Sequence, residues 1–427
     1  MENTSIITEF GQSAIDLIKE ITSTAYTRLP GSEGELKAQQ LIKQKFKDLG
    51  ITDVSEQEFF VRPKFFRNWP RLSILFLYLS IIFYIFVPIL GFVFAIFGLI
   101  NIVLKLLSFE FFDYLFRKKK SLNIIGKQKS KNQQENKTTQ PKLILLLGGH
   151  MDSNYEFPIG AKYGLKMTNF IIPVGLIMVL WILLTAIRTI LFYISIESLI
   201  DYNGLYTMVL NPHWSVLFIL ICTPYVSWVG FRMISSRAVC GANDNLSGIA
   251  VVSGILTYYY NHPERVPKQI EIWYVSFGSE EGGMKGSKAL SEKVKDMIEN
   301  KTLGADKIWV INFDSVGADG PLHIATREPM YRVKAHSPEI IEQLKKSAEN
   351  AHIEYVAKSC PAGTDSAPFS RLGIPAVGIL CFGNGNEPPN WHSMEDTPEN
   401  VDVRGIDRSI RLTLRMIEDL DKILCKY

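Results

Sequence analysis

Cysteine is scarce: five thiols are spread over 427 residues, an odd number with no repeating spacing, which excludes a disulfide framework or a cysteine-rich structural zinc site. Charge of one sign is also lacking. A net formal charge of +3 gives no reason to expect an acidic polymer as partner, and the local basic run Arg117 to Lys120 reads as an anchor to anionic lipid, with no nucleic-acid site. No internal repeat, no phosphate-cradling glycine loop and no Ser-His-Asp order is found. The stretch Met1 to Glu20 has no apolar core of the kind a secretory leader needs.

What is abundant is apolar sequence. Leu72 to Leu104 runs for 33 residues without a charge, and Met167 to Ile187 and Trp214 to Phe231 form two further stretches of spanning length. As one helix the first run would reach about 50 Å, against a hydrocarbon core of about 30 Å. Pro88 and Gly91 near its middle predict a tight hairpin of two spans, about 72–87 and 89–107; a single tilted helix is the alternative. The second insertion is expected to hold spans at about 167–187 and 214–231. An even number of crossings in each keeps the flanking segments on one side. The expected division is therefore 1–66, 117–166 and 236–427 for one catalytic domain, with membrane hairpins at 67–116 and 167–235. Removing the two insertions leaves about 300 residues, a fair size for such a domain.

Within the remainder, five fragments carry polar chemistry: Gly148-Gly149-His150-Met151-Asp152-Ser153, Gly241-Ala-Asn-Asp244-Asn-Leu-Ser-Gly248, Ser279-Glu280-Glu281-Gly-Gly, Asn312-Phe-Asp314-Ser, and Trp391-His392-Ser-Met-Glu-Asp396. Most of them follow or lie near a β-rich apolar run: Leu143 to Leu147, Ile270 to Phe277, Ile308 to Phe313 and Ala376 to Phe382. Loops at the carboxyl ends of parallel strands converge on one crevice, so residues distant in sequence meet there. Two His with several carboxylates and no thiol form an oxygen and nitrogen donor set suited to a catalytic zinc pair. The tract Gln128 to Lys142, rich in Lys, Gln, Asn and Thr, predicts a flexible surface loop.

These motifs resemble the dizinc aminopeptidase family that includes bacterial leucyl aminopeptidases and aminopeptidase Y, with glutamate carboxypeptidase and glutaminyl cyclase as relatives. The likeness extends to Leu122-Asn-Ile-Ile-Gly126 and to Gly363-Thr-Asp365-Ser-Ala-Pro-Phe369 before Gly373-Ile-Pro-Ala376. It implies an α/β zinc-exopeptidase fold, three layers about a twisted, mostly parallel sheet, to which this chain adds four inserted transmembrane helices. It also implies that Asp244 bridges two Zn2+, with His150 and Asp314 completing one site and Glu281 and His392 the other. Glu280 becomes the general base, and Asp365 and Phe369 line the substrate cleft. Cobalt or manganese can share such ligands. Asp152 is placed to steady the His150 imidazole and Asp396 that of His392, with loop capping as the alternative for both. Asn243 and Asn245 are expected to shape a helix entrance.

One departure stands out. Many aminopeptidases of this family have Tyr before the last His to stabilise the oxyanion, and here the residue is Trp391, which donates but cannot ionise. That favours the cyclase relatives, whereas the full ligand set favours a peptidase. The expected activity is hydrolysis of N-terminal peptide bonds. A one-zinc cyclase and an idle scaffold of the same fold are the alternatives. Whether the peptide arrives from the lipid bilayer or the spans only tether the enzyme stays open.

Sidedness follows from charge. Arg62, Lys64, Arg67 and Arg71, then Arg117 to Lys120, Lys127 and Lys129, and later Arg232 and Arg237 flank the catalytic segments. The far loop holds Glu197 and Asp201 against Arg188 and His213. Positive residues favour the cytoplasmic side, although many relatives are secreted or luminal.

Overall fold

The structure is a computed structural model that describes residues 9–106, 111–136, 139–193, 212–361, 363–383 and 385–426. Glu197 and Asp201 lie outside the described residues. The chain divides into two compact units, one of residues 1–63, 118–155 and 237–427 and one of residues 64–117 and 156–236.

In chain order the helices are α1 (Glu9–Thr24), α2 (Glu33–Asp48), α3 (Pro63–Phe86), α4 (Pro88–Leu106), α5 (Lys131–Glu135), α6 (Pro158–Tyr163), α7 (Thr168–Tyr193), α8 (Pro212–Met233), α9 (Ser247–Asn261), α10 (Lys285–Glu299), α11 (Pro338–Asn350), α12 (Ser366–Arg371) and α13 (Val403–Leu424). The strands are β1 (Asp53–Val61), β2 (Lys119–Gln128), β3 (Leu143–His150), β4 (Ile270–Phe277), β5 (Lys307–Phe313), β6 (Leu322–Ala325), β7 (Tyr355–Lys358) and β8 (Ala376–Cys381).

The eight strands of the described residues form one sheet in the order β1-β2-β4-β3-β5-β8-β6-β7. The central run β4-β3-β5-β8 is parallel, while β1/β2, β2/β4 and β6/β8 are antiparallel. The central strands are apolar on both faces because helices cover both, as buried parallel strands require. Leu143, Leu145 and Leu147 of β3 pack with α1, α2, α9, α11 and α13. The alternate residues Ile144 and Leu146 pack with Leu290 and Val294 of α10 and with Phe369 of α12. The result is a three-layer mixed α/β unit. Its four parallel strands end on one edge, and His150, Asp314 and the Glu280-Glu281 pair stand at or just beyond those ends.

Gln128 to Lys142 is not all loop. Ser130 caps the short α5, its hydroxyl accepting from the Gln133 amide while the Gln133 side chain accepts from the Ser130 amide. This reciprocal pair satisfies two donors that a helix start leaves open.

Among the described residues, four helices are long and apolar enough to cross a membrane by length and composition: Pro63–Phe86, Pro88–Lys105, Thr168–Phe192 and Trp214–Met233. Two helices, and not one, cover the first apolar run, with the break at Val87 before Pro88. A proline at the first helical position is tolerated because its missing donor would have had no partner. The four helices pack around Leu77, Ile81, Tyr84, Ala95, Met178, Trp181, Ile219 and Val226. Some of the polar groups buried there find partners: the Trp181 indole donates to Ser80 at 2.9 Å, and the Asn101 amide nitrogen donates to the Trp69 carbonyl at 2.7 Å. Internal pairing of this kind is what an apolar surrounding demands.

Candidate active site

Two glycines let the ligand-bearing segments meet. A Cβ on Gly149, next to His150, would stand 2.8 Å from the Gly248 backbone at the start of α9. A Cβ on Gly248 would stand 2.4 Å from the Phe313 carbonyl at the end of β5. Backbone therefore rests on backbone. The start of α9, which follows Asp244, is wedged between the ends of β3 and β5, which carry His150 and Asp314.

Side chains lock this junction. The Asn245 carboxamide donates to the Phe313 carbonyl at 2.8 Å and accepts from Gly248 at 3.0 Å and Ser315 at 3.1 Å. Asn243 accepts from Gly317 at 2.7 Å, and the Ser247 hydroxyl donates to the Asn243 carbonyl and accepts from Val316. The asparagines thus shape the entrance to α9, as the sequence led us to expect. The Asp244–Asn245 peptide bond is cis. Non-glycine residues with positive φ gather here: Ser279, Met284, Ser315, Asn390 and His392. Such conformations persist where the surrounding structure holds them, commonly at functional sites.

The polar side chains converge at one point. His150 Nε2 lies 3.2 Å from Asp244 Oδ1 and 3.9 Å from Asp314 Oδ2. His392 Nε2 lies 3.2 Å from Asp244 Oδ2 and 3.0 Å from Glu281 Oε1. The two oxygens of Asp244 therefore face different imidazoles. Tetrahedral zinc with bonds of about 2.0–2.2 Å sets its ligand atoms roughly 3.3–3.6 Å apart. The observed separations bracket that edge. His150, Asp244 and Glu281 form a buried group able to hold a metal ion, each offering one ligand atom within 4.8 Å of the others.

Electrostatics point the same way. Burial pushes the Glu280 carboxyl well above the ordinary range and Asp314 up to about 8, with neighbouring carboxylates adding to both shifts. Burial opposes charge on His392, yet Glu281 and Asp244 beside it hold the imidazole up at about 10. For Asp244 the burial cost is outweighed by the two imidazoles, which hold it below the usual carboxylate range. So many carboxylates packed out of water call for cations among them.

Several expected roles change. Asp152 carries more than the His150 ring: its Oδ1 is 3.5 Å from His150 Nδ1, but that nitrogen lies nearer the Asp152 carbonyl, at 3.1 Å. The Asp152 carboxylate accepts from the amides of Glu280 and Glu281, each at 2.9 Å. Asp396, expected to steady His392, accepts from the amides of Asn243 at 2.6 Å and Asp244 at 3.1 Å, so it holds the loop of the central carboxylate. Asp365 and Phe369, expected to line a cleft, are both fully buried. Phe369 belongs to the core and packs on Phe277 with ring centroids 6.2 Å apart, because α12 turns that face toward the sheet. Asp365 lies within electrostatic reach of Glu280 and His150, and burial pushes it up to about 7. Trp391 stacks on the His392 ring, centroids 4.1 Å apart, which fixes the plane of that imidazole.

Four residues escaped the sequence reading. Asn154 donates to Glu281 Oε2 at 2.5 Å. Tyr331 packs with Met284, Val333 and Ala367, and burial together with the carboxylates of Glu280 and Glu281 raises its phenol above the ordinary value. Arg28 and Glu35 reach the ligand loops from behind. Asn154 is the one with a local signal, four residues past His150; the others come from segments with no metal motif.

The sequence model of peptidase family M28 matches residues 207–417. That match spans just under half of the chain, which in this segment is similar to peptidase family M28. Aminopeptidase YwaD of Bacillus subtilis (strain 168) is 26% identical to this chain over 167 residues, 38% of this chain and 33% of the relative. The matched segment thus spans about a third of that relative's length. Among solved structures, a glutaminyl cyclase from an Acidobacteriales bacterium superposes with a TM-score of 0.54 at 16% identity, covering 99% of this chain and 98% of the other. A zinc aminopeptidase from Bacillus subtilis gives 0.54 at 14% identity, covering 96% and 95%. A leucine aminopeptidase precursor from Bacteroides thetaiotaomicron VPI-5482 gives 0.52 at 14% identity, covering 95% and 96%. These neighbours share with this chain the mixed α/β fold of the zinc exopeptidases.

Proposed function

We propose that this protein is a two-zinc aminopeptidase carried on a membrane unit. The observation that carries the reading is Asp244, whose two oxygens stand 3.2 Å from two different imidazoles, His150 and His392. His150, Asp244 Oδ1 and Asp314 would hold one ion, and His392, Asp244 Oδ2 and Glu281 the other. Such a pair supplies Lewis-acid polarisation of the scissile carbonyl and a water of lowered pKa. Glu280, adjacent to the ligand Glu281 but with its Oε2 3.9 Å from His150 Nε2, is the carboxylate left to move a proton from attacking water to the leaving amine. Tyr331, its phenol held in the protonated form by burial and nearby carboxylates, is the donor we assign to the developing oxyanion, replacing the tyrosine missing at position 391. Trp391 orients His392 by stacking.

The four apolar helices are read as spans. The basic residues beside the catalytic segments favour a cytoplasmic side for the catalytic unit. The peptide substrate and the lipid bilayer are the partners of this reading.

The test is metal analysis of the detergent-purified protein beside hydrolysis of aminoacyl amides by wild type and Glu280→Gln. Two zincs per chain, with turnover reduced about 10²–10⁴-fold in the variant and metal retained, support the reading. A second reading, glutaminyl-cyclase chemistry, is favoured by Trp391 and by the cyclase fold neighbour. One zinc per chain, with ammonia released from an N-terminal glutamine and no amide hydrolysis, would establish it in place of the first.

A further inference from the structure

The segment Ala25 to Glu35 carries no metal motif, yet its two buried charged side chains reach three of the ligand loops. Arg28 is fully buried and makes four side-chain hydrogen bonds. Nε donates to the Met151 carbonyl at 2.8 Å, one η nitrogen to Gly241 at 2.9 Å, and the other to Ala25 and Tyr26, each at 3.2 Å. Met151 follows His150, and Gly241 precedes Asp244 by three residues. The Arg28 backbone adds a reciprocal pair, its amide donating to Ser153 Oγ and its carbonyl accepting from the Ser153 amide, both at 3.0 Å. Burial lowers the Arg28 pKa, and the fields of Cys240, Asp396 and Asp152 oppose that shift.

Seven residues later, Glu35 is fully buried too, and its carboxyl group accepts four hydrogen bonds. Oε1 accepts from the Ser279 amide at 2.6 Å and the Ser279 hydroxyl at 2.9 Å. Oε2 accepts from the Gly31 amide at 2.7 Å and the Ser121 hydroxyl at 3.0 Å. Ser279 directly precedes the general base and has a left-handed backbone, φ +53°. Together with the Asp152 carboxylate, Glu35 captures three consecutive amides, those of Ser279, Glu280 and Glu281.

We propose that the Arg28–Glu35 turn is the positioning element of this active site: Arg28 fixes the His150 loop against the Asp244 loop, and Glu35 fixes the loop that carries Glu280 and Glu281. Neither residue touches substrate or metal. The division of labour is specific. Arg28 bears on two ligand loops and therefore on zinc affinity, whereas Glu35 bears on the base, whose ligand neighbour Glu281 has a second hold through Asp152. Gln at position 35 is not conservative, since its amide group must point donors at donors on one side or the other. Lys at position 28 keeps the charge but loses the planar fork that serves several carbonyls at once.

The inference rests on reading the cluster as a metallohydrolase site, so the experiment has one arm that does not. Hydrogen–deuterium exchange is measured on the full-length protein in detergent, wild type against Glu35→Gln and Arg28→Lys. Exchange at residues 279–281 should accelerate in Glu35→Gln, and exchange at residues 151–153 in Arg28→Lys. Alongside, zinc Kd is measured by chelator competition, and kcat and KM on an aminoacyl amide. We expect Arg28→Lys to weaken zinc about 10–100-fold, and Glu35→Gln to lower kcat about 10–100-fold with KM and zinc Kd within about twofold. Wild-type exchange at residues 279–281 and 151–153 in the two variants overturns the proposal. So does a loss confined to thermal stability, with exchange, zinc Kd and kcat unchanged in the folded fraction. A wild type that hydrolyses no amide defeats the proposed function, and the exchange and zinc arms still decide this inference.

Discussion

Substituting Gly149 with Ala tests whether backbone contact between β3 and the start of α9 sets the metal site. The added Cβ would lie 2.8 Å from the Gly248 carbonyl carbon, 3.0 Å from the Ile249 nitrogen and 3.2 Å from the Gly248 Cα. All three are backbone atoms that cannot swing aside as a side chain tip does. Ordinary contact between such atoms is about 3.5–4.0 Å, so the helix start and the strand end must part by roughly 0.7 Å. His150 is the next residue on one side of that gap, and Asp244 lies four residues before Gly248 on the other. A metal site tolerates about 0.2 Å in its bond lengths, so the displacement exceeds what the 3.2 Å His150–Asp244 pair can absorb. Overpacking of this type costs about 1–3 kcal/mol of stability. We expect the variant to fold, with a thermal midpoint a few degrees lower, and to bind zinc at least tenfold more weakly. Chemical denaturation in excess chelator and chelator-competition titration measure the two effects separately. Ala at Gly175, where an added Cβ meets nothing within 4 Å, is the control. Wild-type stability and zinc affinity in Gly149→Ala would refute the reasoning, because the elements would then slide freely past one another.

Tyr331→Phe should lower kcat on aminoacyl amides by about 10²–10³-fold while zinc content holds at the wild-type value, and Trp391→Tyr in that background should restore part of it; unchanged kcat in Tyr331→Phe removes the phenol from the mechanism. Acid sensitivity is expected from His323, which stacks on Phe382 with centroids 4.3 Å apart and whose pKa burial lowers to about 4. Because the folded value lies below the unfolded one, near 6.5, the stabilisation is complete above pH 6.5 and is lost as pH falls toward 4. Allowing for solvent screening, the loss is on the order of 2 kcal/mol, and denaturant midpoints of His323→Phe should fall less steeply than those of wild type across this window. Sidedness is read from Cys425, which is exposed on the catalytic unit. A membrane-impermeant maleimide should label it only after permeabilisation, with Cys425→Ser as the blank; equal labelling in intact cells would contradict a cytoplasmic catalytic unit.

Several candidate ligands were legible in the sequence because they sit at or near the end of a short apolar strand, and strand ends in a parallel sheet share one edge. His150 closes β3, Asp314 follows β5, and Glu280 and Glu281 follow β4 by three and four residues. The supporting shell was not legible. Arg28 contacts Gly241 and Glu35 contacts Ser279 across more than 200 positions, and nothing local marks an arginine or a glutamate in a polar turn as buried. Asp396 was paired with its sequence neighbour His392, whereas its oxygens accept from the amides of Asn243 and Asp244, about 150 positions away. Phe369 was taken for a cleft residue because its motif is; α12 turns it into the core instead. The cap of α5 was readable in principle, since Ser130-Lys-Asn-Gln133 has the spacing of a capping box, but the polar composition of the tract masked it.

The order of the ligands along the chain also has a consequence for biosynthesis. His150 and His392 are separated by 242 positions, and between them the ribosome must produce both α7 and α8. At about 5–20 residues per second that interval lasts roughly 12–48 s. Throughout it, the first imidazole and then each carboxylate in turn exist without the partners that surround them in the finished protein. The full candidate ligand set therefore exists only after synthesis has passed position 392.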